Sequence, residues 1–318
     1  MRVGIIYSDL QDYDQAIKLF KEILEEVPQA DRVLYYVAAL YQQQGRFDQA
    51  ITYFSQIPEQ SSLFHESVLE ISRILSAMAL GEAFQNTDDG RVPAADQQSD
   101  EQKNRLVEFT KKHSNGAPPE VALELNIVLA DYYEMVGKYE LAAETMKNVS
   151  TLEGFGSAYR YYWGVLLYKA EKIEKSLEVV AKILDQEPDY AHALNFLGYT
   201  MLEEGMDLNQ AYRYIKRAVE LAPDDGHIRD SLGWYYYKTG ELDKALVETE
   251  KAIELLDYED MVVTKHLAII YKEVKEYAKA WELFEKALEL AQWQEDKQTI
   301  QEYIDQLVPL RAPAEQRE

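Results

Sequence analysis

The sequence predicts an all-α fold built from repeated pairs of helices, and three observations carry that expectation. Alanine recurs at 142, 211, 245 and 280, with Ser176 in the same series, so successive anchors lie 34, 35, 34 and 35 residues apart. Within Ala191 to Asp257 one pattern occurs twice: Leu197-Gly198 and Leu232-Gly233, Ala211 and Ala245, Ala218 and Ala252. Apolar residues also keep helical spacing where the repeat is least regular, at Val68, Ile71, Leu75, Met78 and Ala79. A single helix pair is too small to bury its own apolar face, so stability has to come from stacking on neighbours. Small residues are then required where helix axes approach to about 8–10 Å.

In chain order, the first repeat is cut short. Gly4, Tyr7, Ala16, Phe20 and Pro28 fit its pattern, but the residues upstream of Val3 that would open its first helix are missing. That reading leaves two expectations open: a chain that starts late, with a signal or anchor lost upstream, or a frayed half-repeat acting as a cap. The second repeat runs from Asp31 to Pro58, with Leu34, Ala38, Tyr41, Gly45, Ala50 and Phe54 in place. The next alanine anchor, Ala142, lies 92 residues after Ala50, which leaves room for one irregular repeat with an insertion. Its helices are expected over Leu63 to Phe84 and Glu101 to His113, separated by a polar, acidic loop over 86–100 in which Gly90 and Pro93 act as breakers.

Asn115 to Pro119 is a second break, dividing an amino-terminal group (1–115) from a regular array of five repeats (116–292). Ala130, Tyr133, Gly137 and Met146 mark the fourth repeat, Gly164, Val180 and Pro188 the fifth, and Ala268, Tyr271, Phe284 and Ala287 the eighth. Ile300, Tyr303, Ile304 and Leu307 then predict a closing helix over 293–308 that covers the last apolar face, ended by Pro309. A disordered tail is expected over 309–318.

These residues resemble the tetratricopeptide repeat (TPR) family, whose pattern W-x2-L-G-x2-Y…A-x3-F…P has a 34-residue period. The resemblance implies a right-handed superhelical solenoid of antiparallel helix pairs with a capping helix, and a non-catalytic role as a protein-binding scaffold. It also implies a concave groove lined by the first helix of each pair. The partner-binding candidates there are Tyr161 and Tyr168; His192, Asn195 and Tyr199; His227, Asp230, Trp234 and Tyr237; and Lys265. Five of these are aromatics beyond what packing of the pattern requires, and such rings supply contact area at low entropy cost plus a polar handle. The expected ligand is a peptide or helix of another protein.

Family members that capture carboxyl-terminal tails place lysine and asparagine at set groove positions. Lys265 matches one, but the other places hold Asn195, Tyr199, Trp234 and Ile269, so that clamp is not carried over. The segments LNFLGYTMLEEG and IRDSLGWYYYKTGELDKAL look like bacterial TPR proteins found in envelope-associated settings, which leaves cytoplasm and periplasm both open. The competing reading is a self-assembling or envelope or secretion-complex structural component, and a monomer or weak homo-oligomer is expected.

Composition narrows the chemistry. With 57 acidic against 33 basic residues and a net charge of -24, the chain would repel a phosphate backbone, so neither nucleic acid nor an anionic membrane surface is an expected partner. There is no cysteine, hence no disulfide, thiolate metal site or thiol nucleophile. No run of 18 apolar residues exists. The histidines at 65, 113, 192, 227 and 266 form no H-E-x-x-H motif, and neither a phosphate-cradling glycine loop nor a G-x-S-x-G elbow is present. No cofactor and no catalytic residue is expected. His192, His227 and Asp230 fall where a divalent metal can be imagined, but two polar groove residues are the plainer reading.

Overall fold

A computed structural model describes residues 2–85, 101–257, 259–291 and 293–311. Among them are seventeen α-helices and no strand. The chain divides into two compact units, Met1–Lys172 and Ile173–Glu318.

The first unit holds α1 (Arg2–Asp9), α2 (Tyr13–Glu26), α3 (Asp31–Gln43), α4 (Phe47–Phe54), α5 (Phe64–Gln85), α6 (Glu101–Ser114), α7 (Pro119–Met135), α8 (Tyr139–Val149) and α9 (Ser157–Lys169). Helices pack as hairpins, α1 on α2, α3 on α4, α5 on α6 and α7 on α8. The expected breakpoint after residue 115 falls inside this unit, where α7 packs on both α5 and α6. The irregular third pair has the expected bounds to within a residue. The acidic loop expected over 86–100 lies outside the described residues.

The second unit holds α10 (Ile173–Leu184), α11 (Ala191–Glu203), α12 (Leu208–Leu221), α13 (Gly226–Lys238), α14 (Leu242–Leu255), α15 (Met261–Glu273), α16 (Tyr277–Leu290) and α17 (Gln294–Arg311). The hairpins are α11 with α12, α13 with α14 and α15 with α16, and α17 lays Ile300, Ile304 and Leu307 on the last of them. The closing helix runs on through Pro309 to Arg311, where a stop at Pro309 and a tail were expected. A proline this close to a helix end removes one hydrogen bond, and its exposed position leaves the freed carbonyl to solvent. The remainder of the expected tail, 312–318, lies outside the described residues.

The alanine series does what its spacing implies. Ala16, Ala50, Ala142, Ser176, Ala211, Ala245 and Ala280 are all fully buried. Opposite them, a Cβ added at Gly198 would meet Ile215 Cγ1 at 2.6 Å and the Ala211 carbonyl oxygen at 2.8 Å, so no larger residue fits. Outside the α5–α6 pair, whose connection is not among the described residues, the turn between paired helices reaches the left-handed region at a fixed place: Gly137 has φ 70° and Gly205 62°, while Gln11, Glu171 and Lys275 adopt 62°, 57° and 68° at the equivalent position. The repeat geometry therefore imposes this conformation even without glycine, against a local energetic cost.

Candidate functional site

On α11, α13 and α15 of the second unit, residues three and four apart share one helix face, so His192, Asn195, Tyr199 and Glu203 line up, as do His227, Asp230, Trp234 and Lys238. Each helix start is set locally. Asp225 caps α13 by accepting from the Ile228 N–H at 3.0 Å, and Asp260 caps α15 by accepting from Val262 and Val263, both at 2.9 Å. Gly226 lies where a Cβ would stand 2.7 Å from the Ala252 carbonyl oxygen, so the absence of a side chain lets α13 seat against α14.

The centre of this face is an aromatic stack. Trp234 lies parallel to His266 with ring centres 3.9 Å apart and stacks on Tyr237 at 4.6 Å. Its indole N–H donates to Glu203 Oε1 of α11 at 2.8 Å, and the Lys238 ammonium, 5.6 Å from the ring centre, pairs with the same Glu203 oxygen at 3.2 Å. His266 Nδ1 faces Asp230 Oδ2 at 2.7 Å, with both side chains buried. The second oxygen, Asp230 Oδ1, is buried with no hydrogen-bond partner among the described residues, and so is Asn195 Oδ1. Burial raises the Tyr237 hydroxyl pKa, and the charges of Glu273 and Tyr303 push the same way.

The structure thus brings together Asp230, Trp234 and Tyr237 of the expected set, with Tyr199 half-buried and packed against the same core cluster. Lys265 is half-buried, and His227 is exposed. His192 is exposed too, its Nδ1 lying 3.9 Å from Asp225 Oδ2. By its place in the repeat pattern Trp234 is expected to be free of packing duty. The structure gives it one: Trp234 is 7% and Asp230 4% exposed, so neither offers much surface of its own. No cluster of three metal-ligating side chains occurs among the described residues.

His266 is not among the groove residues expected from the repeat pattern. It stands one residue beyond a full repeat from Asp230, which was the available signal: a titratable pair offset by about one period meets across neighbouring first helices.

Tyr161 and Tyr168 are half-buried on α9 of the first unit. There the polar centre is their neighbour Tyr162, whose hydroxyl bonds Asp131 Oδ1 at 2.7 Å and Glu134 Oε2 at 2.8 Å, while Lys169 pairs with Glu134 at 2.6 Å. Burial raises the pKa of Tyr162, and its two carboxylates raise it further. Burial likewise raises that of Asp131. In α3, Tyr35 is pushed up to about 12 by burial and then by Glu66 and Glu70. A phenol whose pKa in the fold exceeds its ordinary 10.0 keeps its proton while the unfolded chain loses it, so its contribution is present below pH 10 and is lost as pH climbs through the folded-state value. Urea unfolding followed from neutral pH into this range should show stability falling above about pH 10, with a shallower fall in Tyr162→Phe.

Two tetratricopeptide repeat family models match the chain, over residues 8–62 and 264–298. A TPR repeat-containing protein of Pseudomonas aeruginosa is 38% identical over 96 residues, which is 30% of this chain and 15% of the relative's length. Among solved structures, a tetratricopeptide repeat protein from Parabacteroides merdae superposes with a TM-score of 0.63 at 14% identity, covering 88% of this chain and 99% of that one. A TPR protein of Thermus thermophilus gives 0.50 at 20% identity, covering 58% and 97%. With the period, the buried alanine series and the stacked hairpins, the two family models show that the chain carries tetratricopeptide repeats, at 8–62 and 264–298, and the solved structures share its fold of stacked helix pairs.

Proposed function

We propose that the face formed by α11, α13 and α15 holds a segment of another protein, and that the chain works as a non-catalytic scaffold. A tetratricopeptide repeat fold is a protein-interaction scaffold, and the proposal adds the place and the manner. One observation carries it: Trp234 and His266 stack with ring centres 3.9 Å apart as a platform, and Tyr199 and Tyr237, packed against the same core cluster, are only half-buried. Rings already held in place lose little entropy when a partner docks. Lys238, Lys265 and Glu203 supply charges of both signs along the same face, which favours a polar peptide backbone with apolar side chains over a uniformly charged ligand. His192, Asn195 and His227 of this face are proposed as secondary contacts, and Tyr161 and Tyr168 as partner contacts of the first unit by itself.

The test separates contact from packing. Tyr199→Ala/Tyr237→Ala should retain the parent's far-ultraviolet circular dichroism yet lose captured partners, with affinity for a purified partner falling at least about tenfold. Partners retained equally by parent and variant would sink the reading. Trp234 is unsuited to this role because its removal disturbs the platform itself.

A further inference from the structure

We propose that a cleft in the first unit, walled by α4, α5 and α6, is a second docking groove, and that its occupant is an acidic amphipathic helix of a partner protein. The cleft has a volume of about 670 Å³. It lies where the end of α4 and the turn after it meet the first half of α5 and the carboxyl-terminal part of α6. Val68, Ile71 and Leu75, spaced three and four apart and each 3% exposed, lie beneath the floor, and half-buried Phe64 and Phe109 at the sides supply the accessible apolar surface. A cleft with apolar walls between three helices is the receiving half of helix-in-groove recognition, which takes apolar side chains at i, i+3 or i+4, and i+7.

Charge selects the occupant. In a chain of net charge -24, residues 101–113 carry four basic and two acidic side chains. Arg105 and Lys112 both line the cleft, seven residues and about 10 Å apart along the axis of α6. Lys112 is exposed and makes no ion pair among the described residues, while Arg105 donates to Gln102 Oε1 at 2.8 Å and has the exposed Asp48 as its ion-pair partner, at a loose 3.6 Å. A helix with carboxylates at i and i+7 repeats that separation and turns its i+3 and i+4 side chains to the floor. Glu59 and Glu108, also on the rim, fix the register by repelling carboxylates placed between the two cations. His113 packs on Phe109 with ring centres 4.3 Å apart; its pKa is lowered by burial and then by Lys112, so the uncharged ring adds to the apolar wall at neutral pH.

The experiment pans a phage-displayed library of random 16-residue peptides against the full chain and against Arg105→Glu/Lys112→Glu. Sequences with helical apolar spacing flanked by Asp or Glu should be enriched on the parent alone. By fluorescence polarisation, the best of them should bind the charge-reversed variant at least about tenfold more weakly and lose affinity with added salt. Phe64→Gln should weaken it as well; should that variant fold poorly, the charge reversal decides. Tyr199→Ala/Tyr237→Ala should bind it normally, which keeps this groove distinct from the α11–α13–α15 face. Failure to enrich, a basic consensus, or affinity unchanged by the charge reversal would overturn the proposal. So would self-association of the chain that the charge reversal abolishes, since the occupant would then be a second copy.

Discussion

His266→Ala is expected to destabilise the second unit by about 2–5 kcal/mol, from a buried polar group left without its partner and the cavity left by the ring. Asp230 is 4% exposed, and Oδ1 already has no partner; losing the imidazole strips Oδ2 of its contact as well. The same substitution takes away the ring that lies 3.9 Å from Trp234 and leaves a cavity beside the indole. Because the harm comes from an uncompensated buried carboxylate, replacing both partners together should do less damage than replacing the histidine alone. Asp230→Leu/His266→Leu is therefore expected to recover most of the loss. Urea unfolding with amide exchange on α13 and α15 checks both variants. If His266→Ala unfolds at the parent's denaturant concentration, the pair carries no stability. If the double variant is as unstable as the single one, the loss comes from packing and not from the unpartnered carboxyl group.

Gly233→Ala is the second large effect, expected at about 1–3 kcal/mol through overpacking. A Cβ at this position would overlap the Thr249 Oγ1 atom, and it would lie 3.1 Å from the Thr249 backbone nitrogen and 3.3 Å from the Ala245 carbonyl oxygen. Thr249 is fully buried, and its hydroxyl has no hydrogen-bond partner among the described residues, so deleting that hydroxyl forfeits little. Thr249→Ala alone should be close to neutral, and in the Gly233→Ala background it should restore part of the stability. A double-mutant cycle is expected to show coupling of about 0.5–3 kcal/mol, as residues in contact do. Additive effects would mean that the backbone of α14, and not the threonine side chain, limits the approach of α13.

The repeat was legible because it is written in residue size. Fully buried Ala211, Ala245 and Ala280 recur at nearly constant intervals, and a small residue at a helix contact reads the same in one dimension as in three. The turns were legible for a similar reason where glycine marks them, at Gly45, Gly137, Gly205 and Gly240. They were less so at Gln11, Glu171 and Lys275, where stacking imposes a left-handed residue that the amino acid itself disfavours. The candidate face was only half legible. Spacing identifies which residues of α11, α13 and α15 share a side, but spacing does not say how deep that side lies.

What the sequence determined by itself is the all-α repeat, its period, and the division of each first helix into a packing side and an open side, since these follow from local volume and periodicity. Only the tertiary structure decided that Trp234 and Asp230 sink into the stack, that His266 joins them, and that a cleft opens beside α5. Each of those outcomes depends on how side chains from separate helices meet, most of them about a repeat apart in sequence. Such relations are set when helices pack, and no local pattern along the chain encodes them.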